Sequence, residues 1–191
     1  MDTSDLRTAA AECATYLDGV ASLDWTAPVQ DLGWTAAATV AHICDGLLWY
    51  ATDFVAGPAE LSTMDLAVRP ATPPSSLVRT LSVAAETLAR VLDAGTPLDR
   101  GWHPFGLSDA SGFAAMACDE LLVHTADTAT ALDRPFTPPT TQVTRTLHRL
   151  FPEAPQGFAP WPTLLWANGR APLGDVPRRE KWKWRCAPLE G

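Results

Sequence analysis

The sequence predicts an all-α protein: a four-helix bundle followed by a short C-terminal extension. Three observations carry this. Four segments of about 18 to 24 residues repeat apolar side chains at helical spacing. No segment between them alternates as a strong strand would. After Pro139 the pattern breaks into short pieces. Residues 1–136 are therefore expected to form the bundle, and residues 137–191 an extension packed on it.

The first helix is expected over Ser4–Ala21, with Leu6, Ala10, Cys13, Leu17 and Val20 as its stripe and Thr3 or Ser4 as its cap. The second is expected over Thr35–Val55, opening at "GWT" and stopping before Gly57 and Pro58. The third is expected over Pro74–Asp93, with Leu77, Leu81, Ala84, Leu88 and Val91 on one face and "AGTP" closing it. The fourth is expected over Asp109–Leu132, ended by "DRPFTPP". The Pro- and Gly-rich middle loops are long for a simple up-and-down bundle and leave room for crossovers. Short helices are expected near Gln142–Phe151 and Pro162–Asn168, the second capped by Gly169 in the left-handed region. A hairpin turn at Asn168–Gly169 is the alternative.

Composition narrows the function. A hydrophobic content of 47% predicts a real core. A net charge of −8 argues against a general nucleic-acid binder. No apolar run reaches the roughly 20 residues of a membrane span. The N-terminus lacks the basic and apolar regions of an export signal. The four cysteines are scattered, which gives neither a zinc-finger spacing nor a disulfide framework, so a reducing cytoplasm is expected. The chain is expected to be a monomer or homodimer.

"DELLVHTAD", Asp119–Asp127, is the stretch that carries chemistry. Glu120, His124 and Asp127 fall within about 60° of one another on a helix. Phe113, Met116, Ala117 and Ala131 share that stripe, so the polar groups are expected to be buried and to need partners. Glu120 and His124 are either a hydrogen-bonded pair or two ligands of one metal ion. Asp127 is either a surface charge or the acceptor that orients a ligating histidine. The third ligand of a metal must come from another helix, and His42 is the natural candidate. Yet Val40, Cys44, Leu47 and Ala51 form the strongest apolar stripe of its helix, and His42 projects roughly opposite. Arg79, His103 and Arg170 are candidates for recognising substrate anions, against the alternative of solvated surface or loop residues.

The tail "KWKWR", Lys181–Arg185, has a period of two. Trp182 and Trp184 are expected to dock on the body. Of 22 acidic residues 20 precede Arg178, against 9 of 14 basic ones, so a basic tail on an acidic body is favoured over single-stranded nucleic-acid binding.

"GWTAAATVAHICDGLLW" followed by "DELLVHTADTATAL" resembles the DinB-like superfamily. Within it the closest likeness is to the N-terminal domain of the mycothiol-dependent maleylpyruvate isomerases. The resemblance covers roughly Asp2 to Arg134, with a weaker echo in "LLWANGRAPL" and "WKW". It implies a four-helix bundle with a divalent metal, usually zinc, held by His42, Glu120 and His124, with Asp127 behind the histidine. It implies a low-molecular-weight thiol such as mycothiol as cofactor and an electrophile as substrate, in S-transfer or isomerisation. Ala126 stands where the family often has Trp, and the residues after Phe136 are too few for a full second domain, so the substrate stays open. Three protein ligands leave a position for thiol or water. A metal hydrolase and a non-catalytic sensor are the alternatives.

Overall fold

The computed structural model describes residues 1–189. The chain is mostly helical: α1 Thr3–Gly19, α2 Ala36–Ala56, α3 Pro74–Asp93, α4 Ala110–Ala131, α5 Thr140–Leu150 and α6 Pro160–Ala167. A two-stranded antiparallel sheet, β1 Pro28–Val29 and β2 Trp34–Thr35, precedes α2. No helix among the described residues is long and apolar enough to cross a membrane.

The helix ends follow from capping chemistry. Asp2, rather than Thr3 or Ser4, caps α1. Its carboxylate accepts from the Ser4 and Asp5 amides, and Asp5 accepts in return from the Asp2 amide. Thr35 caps α2 through the Ala38 amide, and Asp109 caps α4 through Gly112. Pro74 opens α3, where a missing N–H costs nothing. Gly169, at φ +65°, follows α6, so the Asn168–Gly169 pair ends a helix and does not turn a hairpin.

The four long helices pack in the cyclic order α1–α3–α2–α4, while α5 lies on α4 and α6 on α5. α3 keeps one exposed face, which is why its apolar stripe is so regular. α4 touches α1, α2 and α5 and is buried almost all round. Leu6, Leu17, Ile43, Leu47, Leu81, Leu88, Phe113 and Leu121 are fully buried. Each such leucine contributes about 1.5–3 kcal/mol by leaving water. The same core continues without a break through Val143, Leu150, Phe151, Leu164 and Trp184. The C-terminal segment is stitched down by the Arg185 amide, which donates to the Leu150 carbonyl, and by the Arg149 guanidinium, which donates to the Arg185 and Cys186 carbonyls.

Candidate metal centre

α2 and α4 each bring polar side chains to one point. His42 comes from the second turn of α2. Glu120 and His124, one helical turn apart, come from the middle of α4. One ligand atom from each lies within 4.8 Å of the other two. Glu120 Oε2 is the hub, 3.1 Å from His124 Nε2 and 3.6 Å from His42 Nε2. The short approach lacks hydrogen-bond geometry, so Oε2 is a buried oxygen with no partner among the described residues. A lone buried carboxylate oxygen is costly unless something positive satisfies it.

The arrangement fits a divalent cation. A tetrahedral ion with bonds of about 2.0–2.2 Å holds its ligand atoms roughly 3.3 Å apart, between the two distances to Oε2. Two imidazole nitrogens and one carboxylate oxygen are a donor set that suits zinc. Solvent reaches the cluster from the His42 side, where that side chain is 39% exposed against 11% for Glu120 and His124.

The groups behind the cluster fix its protonation. Asp127 Oδ2 lies 3.0 Å from His124 Nδ1, so Asp127 can keep a proton on Nδ1 while a bound cation displaces the one on Nε2. Arg170 grips the far side of Asp127 through Nε and Nη2, and its Nη1 donates to the Asn168 carbonyl. Burial disfavours charge on His124, but Asp127 and Glu120 outweigh it and raise its pKa to about 9. Burial would raise Glu120 too, yet the adjacent His124 and His42 rings and the Tyr50 hydroxyl hold it below the usual carboxylate range. Burial lowers His42 despite Glu120 nearby. The cluster as a whole favours added positive charge.

Residues 6–129 match the model of one family, described as the Mycothiol maleylpyruvate isomerase N-terminal domain. The chain belongs to that family. No curated protein and no solved structure matches it. The family match spans both arms of the cluster, His42 and the Glu120–His124 pair, and agrees with the resemblance in the sequence.

Of the other residues singled out from the sequence of this family member, Asp127 and Arg170 sit directly behind His124. His103 lies buried in the loop before α4. Its Nδ1 accepts from the Phe105 amide and lies 3.4 Å from Cys186 Sγ, and burial lowers its pKa to about 4. Arg79 is exposed on α3 and joins neither the cluster nor the cleft described next. That cleft, of about 1220 Å³, runs between the hairpin turn, the C-terminal half of α4, α6 and the tail. Asp127, Arg134, Arg170, Trp161 and Trp182 line it; His42, Glu120 and His124 do not.

Three neighbours escaped the sequence reading. Tyr50 donates to Glu120 Oε1 at 3.2 Å. Trp34 packs at a tilt against His42, with ring centroids 4.7 Å apart. Asp119 accepts from Asn168 Nδ2 and Trp184 Nε1, both at 2.9 Å, and burial raises its pKa to about 7. Signals existed: Tyr50 is two turns beyond His42 on the same helix, and Trp34 stands immediately before that helix's cap.

Proposed function

We propose that this chain is a DinB-like bundle that binds one divalent metal, zinc by its donor set, through His42, Glu120 and His124. We propose further that it is an enzyme of thiol chemistry, using a low-molecular-weight thiol such as mycothiol in S-transfer to, or isomerisation of, an electrophilic small molecule. The observation that carries the first part is the convergence of one ligand atom each from His42, Glu120 and His124 within 4.8 Å of one another, around a buried Glu120 Oε2 that makes no hydrogen bond among the described residues. Family membership supports the second.

The bound metal would supply charge that lowers the pKa of a thiol brought to its open position. The chain's own residues do the rest. Asp127 holds the proton on His124 Nδ1, so that Nε2 would be the nitrogen to exchange its proton for the metal. Arg170 anchors Asp127 and acts through it. Tyr50 holds Oε1 and turns Oε2 to the centre. The neutral imidazoles and single carboxylate leave the occupied site with one positive charge, suited to an anionic sulfur. The exposed edge of His42 marks the side from which thiol and substrate enter.

Elemental analysis of the purified protein tests the metal. About one divalent ion per chain is expected, with loss in His124→Ala. Equal metal content in both proteins would remove His124 from the site. A panel of thiols tested against one electrophile then tests the chemistry. Metal-dependent turnover with water and no thiol would replace the reading with a hydrolase.

A further inference from the structure

Each of the three clustered side chains needs something to hold its orientation, and two of the holders are hydrogen bonds. His124 is held by Asp127 and Glu120 by Tyr50. His42 is different. Its ring makes no hydrogen bond among the described residues, and its side chain is 39% exposed. An imidazole so placed could swing about its side-chain torsions and carry Nε2 away from Glu120.

Trp34 stands against that ring. The centroids are 4.7 Å apart and the planes inclined at 44°. The indole is also 6.3 Å from the His124 ring, and the two imidazoles meet edge to face at 5.1 Å. The three rings form one aromatic corner around the donor atoms. The backbone fixes where the indole sits. Trp34 pairs with buried Val29 in the hairpin, and the next residue, Thr35, caps the helix that bears His42. The Ala36 and Ala37 amides bond back to the Ala27 and Trp25 carbonyls. Across the turn, Asp31 pairs with Arg178 of the C-terminal segment at 2.7 Å. The hairpin thus has a fixed footing at both ends.

We propose that Trp34 is the positioning residue of His42, orienting the imidazole by tilted ring-on-ring packing where the other two side chains are oriented by hydrogen bonds. The inference rests on the metal reading above. An indole suits this place because it offers no lone pair to compete for a cation and imposes no tautomer. It also keeps 38% of its surface exposed, so it walls the side from which solvent reaches the cluster.

The test uses Zn²⁺ as the probe, titrated in competition with a chelating dye. The proteins are the wild type, Trp34→Leu, Trp34→Phe and His124→Ala, each with the melting temperature of its metal-free form. Trp34→Leu keeps apolar bulk and removes the ring. It is expected to weaken Zn²⁺ binding about tenfold, the low end for groups that orient metal ligands, with an unchanged melting temperature. Trp34→Phe is expected to restore binding. Wild-type affinity in Trp34→Leu would overturn the inference while leaving the metal reading intact. A loss of both affinity and melting temperature that Phe fails to rescue would also overturn it, as general hairpin damage. A wild type that binds no better than His124→Ala would overturn the metal reading, and this inference with it.

Discussion

The Tyr50 hydroxyl donates to Glu120 Oε1 across 3.2 Å, from α2 to α4, and leaves Oε2 of the same carboxylate without a partner. One oxygen is held by a hydrogen bond, and the other faces the two imidazole nitrogens. Burial pushes the Tyr50 phenol well above its ordinary pKa, so it stays a donor across the accessible range. Tyr50→Phe keeps the ring that packs on Phe113 and His103. It is expected to weaken metal binding by about tenfold and to cost stability of only about 1 kcal/mol. Equal Zn²⁺ affinity in the variant and the wild type would show that Glu120 needs no such support.

Asp127 links the cluster to the C-terminal region, because it accepts from His124 on one side and from Arg170 on the other. Burial works against its charge, but His124 and Arg170 together hold its pKa below the usual range. Asp127→Ala leaves His124 without the acceptor that fixes its tautomer. Metal affinity is expected to fall about 10- to 100-fold without vanishing. Chelator competition measures this. Unchanged affinity would reduce Asp127 to an anchor for Arg170.

His103 gives a pH dependence with a definite sign. Burial lowers its pKa from 6.5 to about 4, against a smaller raising effect of Glu120. The unfolded chain therefore binds more protons between those values. The contribution of His103 is complete above pH 6.5 and is lost as pH falls through about 4. Asp119 acts in the opposite sense. Its carboxyl is raised by burial to about 7, so its contribution is complete below 3.8 and lost as pH rises through about 7. The difference between wild type and His103→Leu isolates the histidine. That difference is expected to shrink by roughly 3 kcal/mol, at about 1.4 kcal/mol per pKa unit, from pH 7 down to pH 4 in denaturant titrations. A difference that stays constant with pH would mean that His103 titrates normally.

The long helices were legible because a 3.6-residue period survives in any stretch that buries one face, and α3 matches its expected bounds, Pro74–Asp93. The start of α1 was less so: Asp2, Thr3 and Ser4 are all good caps, and only the return bond from Asp5 selects Asp2. The hairpin was invisible, since two-residue strands carry no alternation. Of the site, the Glu120–His124–Asp127 stripe could be read from spacing alone. His42 could not, because its position off the main apolar stripe of α2 is also what leaves it at the rim of the cluster. Tyr50 and Trp34 were missed for a shared reason: an aromatic beside an apolar helix face reads as core until a partner for its polar atom or ring is seen.

The C-terminal segment offers the last prediction. Lys181, Lys183 and Arg185 are exposed, Trp182 is half-buried and Trp184 is buried, which is the alternation that "KWKWR" implies. Trp184 does more than fill space. Its Nε1–H donates to Asp119 Oδ2, a fully buried carboxyl next to Glu120. The Arg185 and Cys186 carbonyls take the buried Arg149 guanidinium, and the Cys186 carbonyl also accepts from Ser108. Removing the chain from Arg178 onward would leave these buried groups short of partners, at about 1–3 kcal/mol each, besides uncovering Phe151 and the other aromatic neighbours of Trp182 and Trp184. A loss of about 3 kcal/mol corresponds to roughly 6–12 °C in melting temperature for a domain of this size. The proposed metal ligands His42, Glu120 and His124 all precede the cut, so on that proposal the truncated protein is expected to bind the ion below its melting temperature. A tail that existed to bind single-stranded nucleic acid would behave differently: truncation would leave the melting temperature unchanged and abolish salt-sensitive binding to oligonucleotides. Both assays on one truncated protein separate the two, and an unchanged melting temperature would refute the structural role whatever the binding assay gives.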